Sequence, residues 1–271
     1  MPPREAHRPE RPVNLAFVDL KGDDRPKGEK LYDVVPASSD VVGKLAVPTS
    51  APVLRMVDLT LTRLFVEELP DWTKKNEGLL KLRVNTRDPA APSQPPVDVT
   101  FVTDFTVEEG GFAPTFLYRN VFRNVLFKEH VDIHVNLFEL DDDLSSSYHQ
   151  AQQIVSGVSE FNILDVARGI PYLNIATGLF EGMLGTFGKN ANDHIWGESP
   201  TLELDPAPGS AFLRSGIYCL FEERYQKDHQ GASKGSPVSM SQLQFKNGEL
   251  MSPSGALPNH LIFNIKIRAQ T

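Results

Sequence analysis

One cysteine, Cys219, is all the thiol chemistry this chain has, so no disulfide can form within it. It sits in the apolar run IYCLF, where its expected role is that of a small buried hydrophobe, compatible with a reducing compartment. No uninterrupted apolar run reaches the length of a membrane-spanning helix. The opening residues, MPPREAHRPERP, contain no apolar segment of the secretory type, so the expected location is cytoplasmic. Positive charge is also scarce. Lys and Arg number 27 against 35 Asp and Glu, a net charge of −8. That balance excludes duplex nucleic acid as a default partner, because no counterion-releasing basic stripe exists, and it weakens attraction to anionic lipid. Neither G-x-S-x-G nor G-x-x-x-x-G-K-[ST] occurs, and the dispersed Ser, His and Asp residues select no catalytic set. The expectation is therefore a non-enzymatic protein without an obligatory cofactor.

What the chain does have is many short apolar segments separated by proline and glycine. With 271 residues, 21 of them proline and 19 glycine, it suits one large domain with an insertion. Residues 1–12 are rich in proline and charge. Val13 to Leu20 reads as a short strand, and Leu31 to Pro52 as an extended arm, so residues 1–52 form a tail and arm and residues 53–271 the domain proper. Val53 to Glu68 is β-branched and aromatic. Leu79 to Asn85 alternates, as does Val97 to Val107. Thr115 to Phe127 is aromatic-rich and fits either a strand or a short helix.

Val131, Ile133, Val135 and Leu137 alternate with His130, Asp132, His134 and Asn136 in the clearest period-two run of the chain. The four apolar residues should face a core. His130, Asp132 and His134 share the opposite face, expected to be polar sheet surface rather than a metal site. Ile217 to Glu222 reads as a compact strand, Gln226 to Gln242 as a polar loop, and Asn247-Gly248 as a tight hairpin. Leu261 to Arg268 should be the closing strand. The pattern predicts a mainly β fold, an antiparallel β-sandwich.

Between two of these strands lies a different kind of segment, Leu144 to Ala191. Ala151, Ile154, Val155 and Val158 form a helical stripe, and Ile170 to Gly188 contains one charge, Glu181. Gly178 and Gly182 fall on one face of a helix. Such a face either packs closely on another helix or enters lipid, or the segment forms a helical hairpin over the end of the sandwich; the hairpin is the preferred local reading. Ile170, Leu173, Gly178, Leu179, Gly182, Met183 and Phe187 are the candidate contact residues of this helical insertion, since their apolar surface requires cover.

Three pieces, LTRLFVEELPDW, NEGLLKLRV and VDIHVNLFELDDD resumed at NDHIWGESPTLEL, resemble in their order the strands and apical loops of a C2 domain. The resemblance covers about half the chain. It implies a C2-like sandwich whose apical loops can gather carboxylates around calcium: Asp71, Asp141, Asp142, Asp143 and Asp193, with Asp71, Asp141, Asp143 and Asp193 as the ligand set. This chain departs from the family pattern at Asn76, Glu77 and Gly78, where an aspartate is usual, and in a third apical loop interrupted by residues 144–191. The functional expectation is a binding or assembly module acting through protein–protein contacts or self-assembly at the insertion. A membrane-engaging protein, calcium-dependent or not, is the alternative, and a hydrolase whose site is invisible in sequence the third reading.

Overall fold

The computed structural model describes residues 13–20, 31–48, 54–67, 76–86, 98–108, 110–113, 119–139, 194–222, 225–227, 233–237, 240–252 and 257–269. They form a mainly β molecule of curled, predominantly antiparallel sheets. The strands are β1 (Val13–Asp19), β2 (Leu31–Pro36), β3 (Arg55–Val66), β4 (Asn76–Asn85), β5 (Asp98–Val107), β6 (Gly111–Phe112), β7 (Arg119–Phe127), β8 (His130–Glu139) and β9 (His194–Glu198). They continue as β10 (Thr201–Glu203), β11 (Ala211–Phe212), β12 (Gly216–Glu222), β13 (Tyr225–Lys227), β14 (Ser233–Pro237), β15 (Gln244–Lys246), β16 (Glu249–Met251) and β17 (His260–Ala269). A single-turn helix, α1 (Asp40–Gly43), follows β2. No helix among the described residues is long and apolar enough to cross a membrane.

The first sheet runs β16-β15-β2-β1-β12-β17-β3-β6, with β7 also on β3. The second runs β11-β10-β8-β4-β5, with β9 on β8, and β13 pairs β14 separately. One cluster draws on both large sheets. Val57, Leu59 and Leu61 of β3 and Phe263, Ile265 and Ile267 of β17 meet Leu80, Leu82 and Val84 of β4 and Val131, Ile133, Val135 and Leu137 of β8. The alternation of β8 is thus realised, its four apolar side chains being at most 1% exposed. A second cluster occupies the reverse face of the first sheet, where Ala16, Val18, Cys219, Phe221 and Ile262 meet Leu243, Phe245 and Leu250. That sheet rolls around them until Arg63 of β3 forms an ion pair at 2.7 Å with Glu249 of β16, although β15, β2, β1, β12 and β17 lie between them in the strand order. Cys219 is wholly buried there and burial pushes its thiol pKa up, so it is inert packing.

Several local expectations are met. The Asn247-Gly248 turn joins β15 to β16 with both residues at positive φ, 53° and 86°, as a two-residue hairpin requires. Thr115 to Phe127 resolves as strand from Arg119 onward, and the closing strand is β17. Other expectations change. The arm expected over 31–52 instead supplies β2, which hydrogen-bonds to both β1 and β15, and α1, with Val34, Ala37 and Val42 buried. In the first sheet β1 lies between β2 and β12. The polar stretch 226–242 contains part of the β13–β14 ribbon. Asn76, Glu77 and Gly78 lie within β4, and Gly78 is required there, because a Cβ would sit 2.4 Å from the Phe105 ring.

A buried arginine fastens one end of the common core. Arg214, 5% exposed, donates to the Leu204 and Leu213 carbonyls at 2.8 Å and to Gly43 O at 3.2 Å, so it bonds backbone rather than carboxylate. The hydroxyl of fully buried Tyr218 donates to Phe212 O at 2.7 Å and accepts the Arg214 N–H at 2.8 Å. Tyr218→Phe strands both backbone groups and should cost about 1–3 kcal/mol in chemical denaturation. Ile133→Asp, which places an unpaired charge in the centre of the core, should cost several kcal/mol, on the order of the whole stability of a domain. An unchanged denaturant midpoint for Ile133→Asp would contradict the placement of β8.

Candidate functional site

A polar concavity among the described residues lies on the outer face of the first sheet, where β3 is flanked by β17 and β7. Alternation along β3 sends Val57, Leu59 and Leu61 into the core and Asp58 and Thr60 outward. Across the ladder, Thr60 opposes Asn264, Asp58 opposes Lys266 and Met56 opposes Arg268. On the β7 side the register breaks. Val57 pairs with Val125 and Leu59 with Phe122, leaving Arg123 and Asn124 together opposite the single residue Asp58. This is a β-bulge. It places Asn124 at φ 55° and turns both Arg123 and Asn124 outward instead of alternating them.

Asp58 holds the bulge together. Its carboxylate accepts the Asn124 backbone N–H at 2.8 Å and two contacts from Arg268 Nη2, at 2.7 and 2.6 Å. The same Nη2 donates to Asn124 Oδ1 at 2.7 Å. One step along, the Thr60 hydroxyl donates to Asn120 Oδ1 at 2.7 Å. The resulting trough encloses about 370 Å³ and is completed by Arg123, Asn264 and Lys266, all exposed. The negative charge of Asp58 is matched by Arg268. Arg123 and Lys266 stand opposite the same Asp58 in the strand registers, so three cations gather around one carboxylate.

The histidine–aspartate face of β8 is outward, as expected. Asp132 accepts the Thr201 hydroxyl at 2.6 Å, and His134 Nδ1 lies 2.7 Å from Ser199 Oγ. Among the described residues no cluster of His, Cys, Asp or Glu is arranged to hold a metal. Asp71, Asp141, Asp142, Asp143 and Asp193 lie outside the described residues. So do the insertion candidates Ile170, Leu173, Gly178, Leu179, Gly182, Met183 and Phe187.

Composition gave no sign of the trough, but one signal was present. Asn264, Lys266 and Arg268 are the outward positions of the closing strand, and Asp58 and Thr60 those of β3. No family model, curated protein or solved structure matches this chain.

At the other end of the β3–β17 pair, inside the roll, His260 is wholly buried and stacks on Phe65 with ring centroids 5.0 Å apart. Its Nδ1 donates to Pro258 O at 2.8 Å, which leaves Nε2 as a buried lone pair without a hydrogen-bond donor. Burial, with Arg63 nearby as a smaller cause, lowers its pKa to about 4 although the Pro258 bond opposes the shift. The unfolded chain then binds more protons than the folded one between about pH 6.5 and 4, so stability rises with pH across that window and is lost as pH falls through it. The loss should reach about 3 kcal/mol at the acid end. His260→Phe retains the stacking ring and should flatten the pH dependence of the melting temperature between these limits. A slope identical to that of the unaltered protein would remove His260 as its source.

Proposed function

We propose that this chain is a binding or assembly module, built on a C2-like sandwich, whose insertion at residues 144–191 makes a protein contact. The observation that carries the proposal is the pairing of β8 with β9. Phe138 pairs with His194, so residues 140–193 leave and return at adjacent antiparallel strands. A scaffold that anchors both ends of a segment in one ladder presents it from a fixed place. In sequence, Ile170 to Gly188 carries a single charge, Glu181, whose burial in lipid would be costly. Gly178 and Gly182 suit close backbone approach to a protein surface. The two large sheets sharing one core agree with a sandwich. The pieces that resemble a C2 domain include NEGLLKLRV in β4 and the runs entering β8 and β9, neighbours in one sheet.

Replacing residues 144–191 by a short Gly-Ser linker closes a hairpin between strands that are already paired. The shortened chain should keep a cooperative melt and lose self-association or partner binding in size-exclusion chromatography with light scattering. Liposome flotation by the intact chain that vanishes on deletion would replace the protein contact with a lipid one. A monomeric intact chain, unchanged by the deletion and bound by nothing, would overturn the proposal.

Calcium is tested separately. Gly78 of β4 pairs with Glu139 of β8, and Phe138 with His194 of β9, so the strand ends flanking Asp71, Asp141, Asp143 and Asp193 belong to one end of the second sheet. We expect neither heat nor a thermal shift on titration with calcium to about millimolar, the weak end of protein calcium sites. A thermal shift abolished by Asp141→Asn and Asp143→Asn would establish a calcium site.

A further inference from the structure

We propose that the trough on β3, β7 and β17 binds a phosphate monoester carried on a small soluble molecule. The first support is hydrogen-bond polarity. Both asparagines at the bulged edge have their carbonyl oxygens occupied from within, Asn120 Oδ1 by the Thr60 hydroxyl and Asn124 Oδ1 by Arg268. Their amide nitrogens are thereby fixed as donors. The carboxylate of Asp58 is likewise occupied, by Arg268 and by the Asn124 N–H. The carbonyl oxygens of both β7 asparagines and the Asp58 carboxylate are thus occupied and the asparagine amide donors remain, the polarity that an oxyanion requires.

The second support is charge. Asp58 pairs with Arg268 at 2.6 Å, and Arg123 and Lys266 stand beside the same carboxylate. Three cations around one carboxylate leave the concavity with an excess of two positive charges in a chain of net charge −8. A carboxylate ligand would leave one of them unmatched. A phosphate monoester carries roughly −1.5 to −2 near neutral pH with three accepting oxygens, and so can engage both cations and the amides together. The third support is construction. Arg123 faces outward beside Asn124 because the bulge breaks the alternation of β7, and that bulge is secured by a side chain from each neighbouring part of the sheet, Asp58 and Arg268. The volume of about 370 Å³ lies within the range of small-molecule sites.

The test is titration of the full chain with glycerol 3-phosphate, followed by calorimetry and by the side-chain amide NMR signals of Asn120 and Asn124. Acetate at matched ionic strength serves as the monoanion control. Saturable binding should move both amide signals, and acetate should move them much less. The double variant Arg123→Gln with Lys266→Gln alters two exposed side chains, so it should melt as the unaltered protein does and bind at least about tenfold more weakly, as expected on loss of two charge-assisted contacts. Thr60→Val, which releases the Asn120 carbonyl, should weaken binding by a smaller factor. Absence of any response to glycerol 3-phosphate overturns the proposal, and so does equal binding by the double variant or by acetate. Sedimentation with vesicles containing phosphatidic acid, in the absence of any response to glycerol 3-phosphate, would assign the trough to a lipid headgroup and overturn the soluble ligand.

Discussion

The pairing of β3 with β17 is the constraint on which the rest of the structure depends. The two strands run antiparallel from Arg55 opposite Ala269 to Phe65 opposite His260. One face of the pair, carrying Leu59, Leu61, Phe263 and Ile265, closes the core shared with the second sheet. The other face changes character along its length. Near Phe65 and His260 it belongs to the interior of the rolled sheet, and near Asp58 and Arg268 it is the polar floor of the trough. A sheet twists as it extends, and only a long pair can pass from a closed, apolar environment to an open, polar one within two strands. The bulge between Ile262 and Phe263 lies on that passage and adds local twist where the roll begins.

Burial is handled differently at the two ends. Inside the roll, His260 is held neutral by being dry, and its unpartnered Nε2 is a cost that stacking on Phe65 and the surrounding apolar contacts offset. In the trough, Asp58 and Arg268 meet at hydrogen-bond distance while still partly in solvent. Arg214 is a third solution. It is nearly as buried as the core, and its Nη1 and Nη2 donate to backbone carbonyls where β10, β11 and α1 converge, while Nε has no hydrogen-bond partner.

Legibility in the sequence followed the length and regularity of alternation. β8 is read directly, because four apolar residues at period two face one core and nothing interrupts its ladder with β4. Asn247-Gly248 is read equally well, since positive φ at two successive positions is a demand few dipeptides meet. β2 reads as an arm in sequence because only Val34 among its residues is buried, so a six-residue strand presents almost no pattern. β7 fitted helix as well as strand for a physical reason: its two irregularities displace Arg123 and Asn124 onto the same side, which destroys the period that marks a strand. Alternation along β3, β4 and β8 marks these segments as strands, whereas the rolling of the first sheet depends on contacts such as Arg63 with Glu249 that have no local signature.

The trough was hidden by the same logic in a stronger form. Asp58, Asn124 and Arg268 are far apart in sequence, and each alone is an ordinary outward residue of an amphipathic strand. They become a unit only when β7 slips by one residue against β3, because the slip exposes an unpaired backbone N–H and brings it to the Asp58 carboxylate. Once Asp58 accepts that bond, Arg268 is drawn to the same carboxylate, and its second contact fixes the Asn124 amide. The net charge of −8 is a sum over the whole chain and says little about this place. The field felt by a ligand is set within about a Debye length, roughly 8 Å at physiological salt. Within the trough itself the nearest charges are Asp58, Arg123, Lys266 and Arg268, three positive to one negative. An acidic protein therefore presents a cationic concavity without contradiction, and the bulge that conceals it from sequence periodicity is the feature that builds it.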